Sequence, residues 1–348
     1  MARNSSGESK ATATINDVAR IAGVSKRTVS RVLNDSQSVN KATREKILSV
    51  IESLDYSPSK QARGLASSRS YLLGILYDEP NAIVIHSVQR GVLSVCSSLG
   101  YELVVHPISH ESPTLVTEVL KFVTRSSLDG LVIMPPISSN EELIAALRDK
   151  GIKYVRMAAR VVDSTEHLVI SDDRAAMQQV ADLFQQKAVT HPAIIRGPDD
   201  RMASEERYEG LMAALSERGI SLSPDYIADG NFSYDSGVVA AQKLLAQTPR
   251  PDAIFASNDQ MAIAAIHVAE DAGIAVPDEL IVVGYDDEPM ASRLRPSLTT
   301  LQRDNSGMAS AAALKLVANI AGKVDDAQSI QTLFTPQLVT RQSSDRRG

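Results

Sequence analysis

Apolar residues near the start of the chain recur at the three- and four-residue spacing of an amphipathic helix. A first set shares one helical face: Ile15, Val18, Ala19 and Ala22. Thr14 stands where a capping residue belongs, and Gly23 interrupts the pattern as a left-handed helix end would. We therefore predict a short helix between Thr14 and Gly23.

Two further helices follow from the same spacing. Ser25 should begin the second, whose buried stripe is Val29, Val32 and Leu33, with polar hydrogen-bond donors between these positions. A third should run from about Lys41 to Leu54, its core positions being Ile47, Leu48, Ile51 and Leu54. Two helices joined by a glycine-containing turn, the second with a basic polar face, form the helix-turn-helix arrangement.

The pattern changes after Tyr71, where short apolar runs alternate with helical spacing. Strand-like runs occur at 72–77, 101–105, 130–134, 193–195, 253–255 and 280–283, and helical segments at 85–99 and 141–150. Repeated strand–helix units predict parallel sheets covered on both faces. Two similar stretches, LDGLVIMPP and PDAIFASND, suggest two doubly wound lobes with a ligand site at the carboxyl ends of their strands.

Charge is divided unevenly along the chain. The whole sequence has a net charge of −6, yet its first 70 residues hold twice as many basic as acidic side chains. This asymmetry is typical of a small phosphate-binding module attached to an acidic body. The single Cys96 excludes an intramolecular disulfide, and we find neither a bilayer-spanning run nor an apolar signal core. We expect a cytoplasmic protein that does not bind membranes.

The helix-turn-helix segment resembles a known family. The strings INDVARIAGVSKRTVSRVLN, VNKATREKI and LDYSPSKQARGL are similar to the headpiece of the lactose/purine repressor (LacI/GalR) transcription regulators. The resemblance implies base readout in the major groove by Lys26, Arg27 and Arg31, and arginine suits guanine O6 and N7. It implies phosphate contacts for Thr14, Ser25, Thr28, Ser30 and Asn34. The alternative for each of these residues is that it only lies on a solvated helix face and does not contact DNA.

The same resemblance implies a hinge helix that begins at Pro58. In the family this segment orders on DNA and inserts a leucine into the minor groove at the dyad. Leu65 is the matching residue, with Ala62 beside the groove. The alternative is a linker whose Leu65 packs on the next domain.

The strings RYEGL, FASNDQMA, VPDELIVVGYDD and PSLTTLQ extend the resemblance to the family's effector domain, which has the fold of periplasmic sugar-binding proteins. Carried over by position, the effector-binding residues are Asp78, Asp173, Arg207, Asn258, Asp286 and Gln302. Asp259 could equally cap a helix. The chain departs from the family at DEPNAIVI and at Met157–Arg160, and it has no tryptophan, so a stacking ring must be Tyr77, Phe232, Tyr234 or another Tyr or Phe.

These observations predict an all-α helix-turn-helix headpiece followed by an α/β periplasmic-binding-protein-like domain. We expect a disordered tail at 1–13, the headpiece at 14–57, a hinge and linker at 58–70, and the effector-binding and dimerisation domain at 71–348. Its lobes should comprise 71–172 with 303–330, and 173–302 with 331–348.

Other functions find little support. The sequence holds no phosphate-binding glycine loop, zinc-protease motif or nucleophile elbow, so we expect neither an enzyme nor a cofactor. Pro107 spoils His106 and His110 as a helical metal pair, and we expect a loop surface there and no metal site. A secreted solute-binding protein would have a signal sequence in place of the headpiece.

The partners expected from this interpretation are a palindromic double-stranded operator, a small sugar-like effector and a second copy of the chain. A nucleobase effector remains an alternative. The effector could release DNA or strengthen its binding, and the sequence does not fix which. The C-terminal tail has no heptad extension, which favours a homodimer over a tetramer.

Overall fold

The computed structural model describes residues 13–33, 38–54 and 69–346. The chain divides into two compact units, Met1–Tyr71 and Leu72–Gly348. Three helices form the described part of the first unit: α1 (Ile15–Ala22), α2 (Lys26–Leu33) and α3 (Lys41–Ser53). They enclose a small core whose most buried residues are Val18, Ala22, Val29 and Ile47. Leu48 was predicted to join this core but is 48% exposed, because it points about 100° around the helix from the buried Ile47.

The ends of α1 explain its length. Thr14 is the N-cap, and its backbone N–H and hydroxyl both donate to the Asp17 carboxylate, at 3.0 and 2.7 Å. The hydroxyl bond from Thr14 is the largest of the effects that lower the pKa of Asp17 to about 2. Gly23 ends the helix in the left-handed region at φ 67°, which a side chain would strain. Both predicted boundaries are confirmed.

The second unit contains two six-stranded sheets. The sheet of the first lobe has the order β11-β5-β4-β3-β1-β2, and all its strand pairs are parallel. Its strands are β1 (Leu72–Tyr77), β2 (Glu102–Pro107), β3 (Gly130–Ile133), β4 (Lys153–Ala158), β5 (Leu168–Ser171) and β11 (Leu333–Phe334).

The sheet of the second lobe has the order β12-β10-β9-β8-β6-β7. Its strands are β6 (Pro192–Arg196), β7 (Ile227–Asp229), β8 (Ala253–Ala256), β9 (Ile281–Asp286), β10 (Thr299–Gln302) and β12 (Gln337–Val339). All pairs are parallel except β10 with β12, so an antiparallel edge strand completes the predicted parallel sheet.

Helices connect the strands. They are α4 (Ala82–Leu99), α5 (Leu115–Ser126), α6 (Glu141–Asp149), α7 (Asp173–Gln186), α8 (Met202–Glu217), α9 (Tyr234–Leu245), α10 (Asp259–Asp271), α11 (Asn305–Ile320) and α12 (Val324–Ser329). Four short 3₁₀ segments occupy Ile137–Ser139, Thr165–His167, Pro224–Tyr226 and Gln342–Ser344.

The chain passes between the lobes three times. The first passage follows β5, the second follows β10, and the third lies between Phe334 and Gln337. The third was predicted at residue 330, which is too early, because Leu333 and Phe334 pair with Ile170 and Ser171 of the first lobe. A strand of two residues is too short to show an alternation of apolar and polar residues, so the sequence does not indicate to which sheet it belongs.

Within the described residues, α4 alone has the length and composition of a bilayer span, with 18 residues and a mean hydropathy of 1.3. We had expected no such segment. In this fold α4 packs along α11, and a Cβ on Gly91 would lie 2.2 Å from the carbonyl oxygen of Ser306. The glycine thus allows the two helix backbones to approach closely.

Candidate functional site

The second headpiece helix separates apolar from cationic side chains. Val29 and Val32 are buried in the headpiece core, whereas Lys26, Arg27 and Arg31 are exposed. Among the described residues, none of these three cations forms an ion pair. The helix therefore presents three exposed basic side chains that no described residue neutralises, as a helix that enters the major groove requires.

Hydroxyl groups cluster where this helix begins. The Ser25 Oγ accepts a hydrogen bond from the Thr28 backbone N–H at 3.1 Å and lies 2.8 Å from its hydroxyl. These groups stand at the positive end of the helix dipole, which suits a phosphate. Ser30 is partly buried on the same helix. The predicted contacts Asn34, Ala62 and Leu65 lie outside the described residues.

A cavity of about 510 Å³ lies between the two lobes of the second unit. First-lobe segments around Glu79–Val84, Met134–Ser139 and Met157–Ala159 line one side of it. Of the six predicted effector residues, the structure brings three to its lining: Arg207, Asn258 and Asp286. Asp78, Asp173 and Gln302 are not part of that lining.

Arg207 is held by a buried network. Its Nε donates to Asp173 at 3.0 Å, its Nη1 to the carbonyl of Ser257 at 2.5 Å, and its Cζ lies 3.5 Å from the centre of the Tyr285 ring. Burial is the largest influence on the pKa of Arg207 and lowers it, but the charges of Asp173, Tyr285 and Asp286, with the hydrogen bond to Asp173, together raise this pKa above its ordinary value. Nη2 has no hydrogen-bond partner among the described residues, which leaves this donor for a ligand.

Asp173 supports this arginine from behind. Its carboxylate is fully buried and also accepts hydrogen bonds from the hydroxyls of Ser171 and Tyr285, the latter at 2.7 Å. Removing Arg207 would leave that carboxylate uncompensated, at a cost of about 3–5 kcal/mol in stability. Loss of ligand response in an Arg207→Ala variant would therefore not by itself identify a ligand contact.

Asn258 caps helix α10. Its Oδ1 accepts from the Met261 N–H at 3.1 Å, and its Nδ2 donates to the Phe232 carbonyl at 2.8 Å. We had considered Asp259 for the capping role. Asp259 instead accepts hydrogen bonds from the Glu288 N–H and the Thr300 hydroxyl, at 2.7 and 2.6 Å. Its pKa is raised, and burial is the largest cause of that rise.

Asp286 ends strand β9 with an unusual backbone, at φ 108°. Its carboxyl lines the cavity and accepts no hydrogen bond from the described residues. Burial raises its pKa to about 7, although Arg207 and Arg303 act in the opposite direction. Phe232, another cavity residue, also has a positive φ, of 69°. Such backbone strain is concentrated at functional sites.

Asp78 and Gln302 make contacts elsewhere. Asp78 lies 2.5 Å from Nδ1 of His110, whose Nε2 lies 3.0 Å from Asp200 of the second lobe. Gln302 is exposed and donates to Asp287 at 2.8 Å. His110, expected on a loop surface, thus joins the lobes, and His106 stacks on Phe122 at 4.2 Å. The described residues contain no group of three potential metal ligands.

The sequence analysis missed most of the cavity lining, including four polar residues that bear on the charge of the site: Glu79, Arg201, Arg303 and Asn305. Each lies one to four residues beyond the end of a strand or directly before a helix. The carboxyl-end rule for parallel sheets covers such positions and could have found them. Asn81 of the first lobe also reaches across the cavity and donates to Glu288 at 2.6 Å.

Comparison with known proteins accounts for both parts of this arrangement. Residues 14–59 match the family described as bacterial regulatory proteins, lacI family, and residues 180–344 match the periplasmic binding protein-like domain. The HTH-type transcriptional repressor PurR of Photobacterium profundum is 31% identical over 337 residues, which cover 95% of this chain and 98% of that protein. The chain belongs to the LacI family. The resemblance seen in the sequence is confirmed, together with the headpiece and the two α/β lobes.

Solved structures agree with this assignment. A transcriptional regulator CelR–cellobiose complex is 28% identical, has a TM-score of 0.69, and covers 95% of this chain and 99% of its own. The structure of the lac repressor dimer bound to operator and the anti-inducer ONPF is 24% identical and has a TM-score of 0.74. The match covers 96% of this chain and 99% of the lac repressor chain. The second likeness concerns the fold alone. As a LacI-family protein, the chain is a DNA-binding regulator and not an enzyme.

Proposed function

We propose that this regulator is a homodimeric repressor whose affinity for a palindromic operator is set by a small sugar-like effector. The carrying observation is that one chain combines a helix bearing three exposed cations, unpaired within the described residues, with a polar cavity between two lobes. Lys26, Arg27 and Arg31 would read base edges, and hydroxyls near the helix start would bind phosphates. A protein that acts on chromosomal operators would work in the cytoplasm.

The cavity suits a polyhydroxylated ligand. Asp286 offers an acceptor and Arg207 a donor, neither satisfied by the described protein. Phe232 and Tyr234 supply rings on the cavity wall, while Tyr77 is not among the lining residues. Apolar walls with a few convergent polar groups are typical of small-molecule sites. The CelR structure, with cellobiose, supports a sugar over a nucleobase.

Two copies of the headpiece are needed because one recognition helix makes few base contacts. A symmetric dimer would place two such helices on half-sites of a palindrome. The fold neighbour bound to operator is a dimer, which supports this arrangement. Effector binding between the lobes would favour one of two states, and repression or its release depends on which state binds DNA better.

The test begins with an operator selected from random DNA by the full-length protein. Fluorescence anisotropy should show salt-sensitive binding to a palindrome, and one sugar-like compound should shift the curve. Arg31→Ala should weaken specific binding by about 1–3 kcal/mol and relax base preference at one position. Lys41→Ala, whose side chain is 90% exposed on α3, is the matched control and should retain discrimination. Unchanged operator preference in Arg31→Ala would refute base readout by this residue.

A further inference from the structure

Arg303 is a cavity-lining cation that forms no ion pair with the described residues. It follows β10 on the second passage between the lobes, and it is partly buried. Its Nε is buried without a hydrogen bond, and the arginine forms no ion pair with the described residues. Its neighbours are committed elsewhere, since Gln302 donates to Asp287 and Asp304 caps α11. Buried charges are ordinarily paired, whereas no carboxylate of the described residues lies within ion-pair distance of this guanidinium.

Other unsatisfied groups line the same cavity. Arg201 has a buried Nε without a hydrogen bond, although this atom forms an ion pair with Asp200 at 3.6 Å. Asn305 is 7% exposed, and its side-chain oxygen has no partner among the described residues. Arg201 and Arg303 both act on the pKa of Glu79, which shows that they share one electrostatic neighbourhood.

Helix ends add positive potential at this place. The lining includes Met202 at the start of α8, Gln260 in the first turn of α10, and Asn305 at the start of α11. The N-terminus of a helix carries a partial positive charge and unpaired N–H groups, and it therefore favours anions. Of these three ends, those of α10 and α11 are capped by Asn258 and Asp304, whereas that of α8 has no side-chain cap, so the α8 end is the one best placed to favour an anion.

Two acidic residues, Glu79 and Asp286, also line the cavity. Neither Glu79 nor Asp286 forms an ion pair with a described residue. Burial raises the pKa of Glu79 despite Arg303, Arg201 and Arg207, and it raises that of Asp286 to about 7. Arg207 is already compensated by Asp173 at 3.0 Å. The lining thus holds Arg201 and Arg303 beside two carboxyl groups with which neither arginine forms an ion pair among the described residues.

We propose that the effector carries an oxyanion, a carboxylate or a phosphate, that binds Arg303 with support from Arg201. The planar guanidinium fork matches either group with two parallel hydrogen bonds. The hydroxyls of the same molecule would then face Asp286 and Arg207. This inference rests on the proposed effector cavity and narrows its ligand from sugars in general to sugar acids or sugar phosphates.

The test compares matched neutral and anionic sugars on the full-length protein. The probes are glucose and galactose, their uronates and aldonates, and their 6-phosphates, measured by calorimetric titration and thermal shift. An acid or a phosphate should bind at least about ten-fold more tightly than its neutral parent, and Arg303→Gln should remove that advantage. The uronate and phosphate arms distinguish the two oxyanions. Arg293→Gln, at an exposed arginine that is not part of the lining, should retain the advantage of the anionic ligand.

A second readout needs no ligand. Because Arg303 is unpaired, Arg303→Gln should raise the melting temperature of the unliganded protein by about 2 °C, as removal of strain at a binding site does. A fall in melting temperature would show that Arg303 is structural and would overturn the inference.

Two ligand outcomes would also overturn it. Neutral sugars that bind wild type and Arg303→Gln equally, with no gain for the anions, would refute the oxyanion site but support the sugar-effector proposal. If no compound of either class bound or changed operator affinity, both proposals would fail.

Discussion

The carboxyl of Asp286 allows a quantitative test of the cavity without any ligand. Burial, the largest influence, raises its pKa to about 7, from an ordinary value of 3.8. Arg207 and Arg303 lower the pKa, while Glu288 and Glu79 raise it. Replacement by Asn removes the titration and keeps nearly the same shape. Asn also tolerates the positive φ of 108° better than most residues.

The raised pKa of Asp286 determines how stability changes with pH. A carboxyl whose pKa is raised in the folded state contributes its stability fully below the unfolded value, and that contribution is lost as pH rises through about 7. Between pH 5 and 8 the unfolded carboxyl is ionised throughout, whereas the folded one loses most of its proton. At about 1.36 kcal/mol for each unit of pH, wild type should lose roughly 3 kcal/mol relative to Asp286→Asn over this range.

Calorimetric melting of both proteins between pH 5 and 8 measures the difference. A change of 1 kcal/mol shifts the melting temperature of a unit of this size by about 2 °C. From pH 5 to 8 the melting temperature of Asp286→Asn should therefore rise by roughly 5 °C relative to that of wild type. Asp278→Asn, at an exposed surface residue, should follow wild type. Parallel pH profiles for wild type and Asp286→Asn would refute the claim that this carboxyl is held protonated by the cavity.

Two further predictions concern the headpiece and the contact between lobes. Ile47→Ala should lower the free energy of unfolding by about 2–5 kcal/mol and abolish operator binding, because the headpiece core is small. Leu48→Ala, at an exposed residue, should change the free energy of unfolding by less than about 0.5 kcal/mol. Equal melting curves for the two variants would contradict this core. His110→Ala should make amide exchange at 108–112 and 198–202 at least about ten-fold faster, since it removes contacts to carboxylates of both lobes. Unchanged exchange would show that His110 does not hold the lobes together.

The architecture was accessible from the sequence because regular elements leave periodic signals. The run at 72–77 coincides with β1, and the helix starting at Glu141 was predicted one residue too long. Small irregular elements leave no such signal. The two-residue β11 belongs to the first lobe through pairing with β5, a contact between residues more than 160 positions apart. Its omission displaced the last lobe boundary.

The site was predicted less completely because residue type does not reveal what a polar group contacts. Asp173 and Arg207 were both expected at the ligand, yet the structure buries Asp173 as the counter-ion of Arg207. Asn258 was also expected at the ligand, yet its side-chain amide caps α10 and donates a hydrogen bond to the Phe232 carbonyl. Conversely, Arg303 was passed over beside Gln302, although of the two only Arg303 reaches the cavity. The partner of each polar side chain is set by tertiary packing.

The passages between the lobes place these residues where the proposed effector would act on the arrangement of the lobes. Asp173 begins the helix after the first passage and fixes Arg207, while Arg303 lies on the second passage itself. Asn81 and Glu288 join opposite lobes at the cavity wall. A ligand that engages Arg207 and Arg303 would therefore bind at the segments about which the lobes can move. Its binding energy would differ between the arrangements of the lobes, and that difference is what an allosteric effector requires.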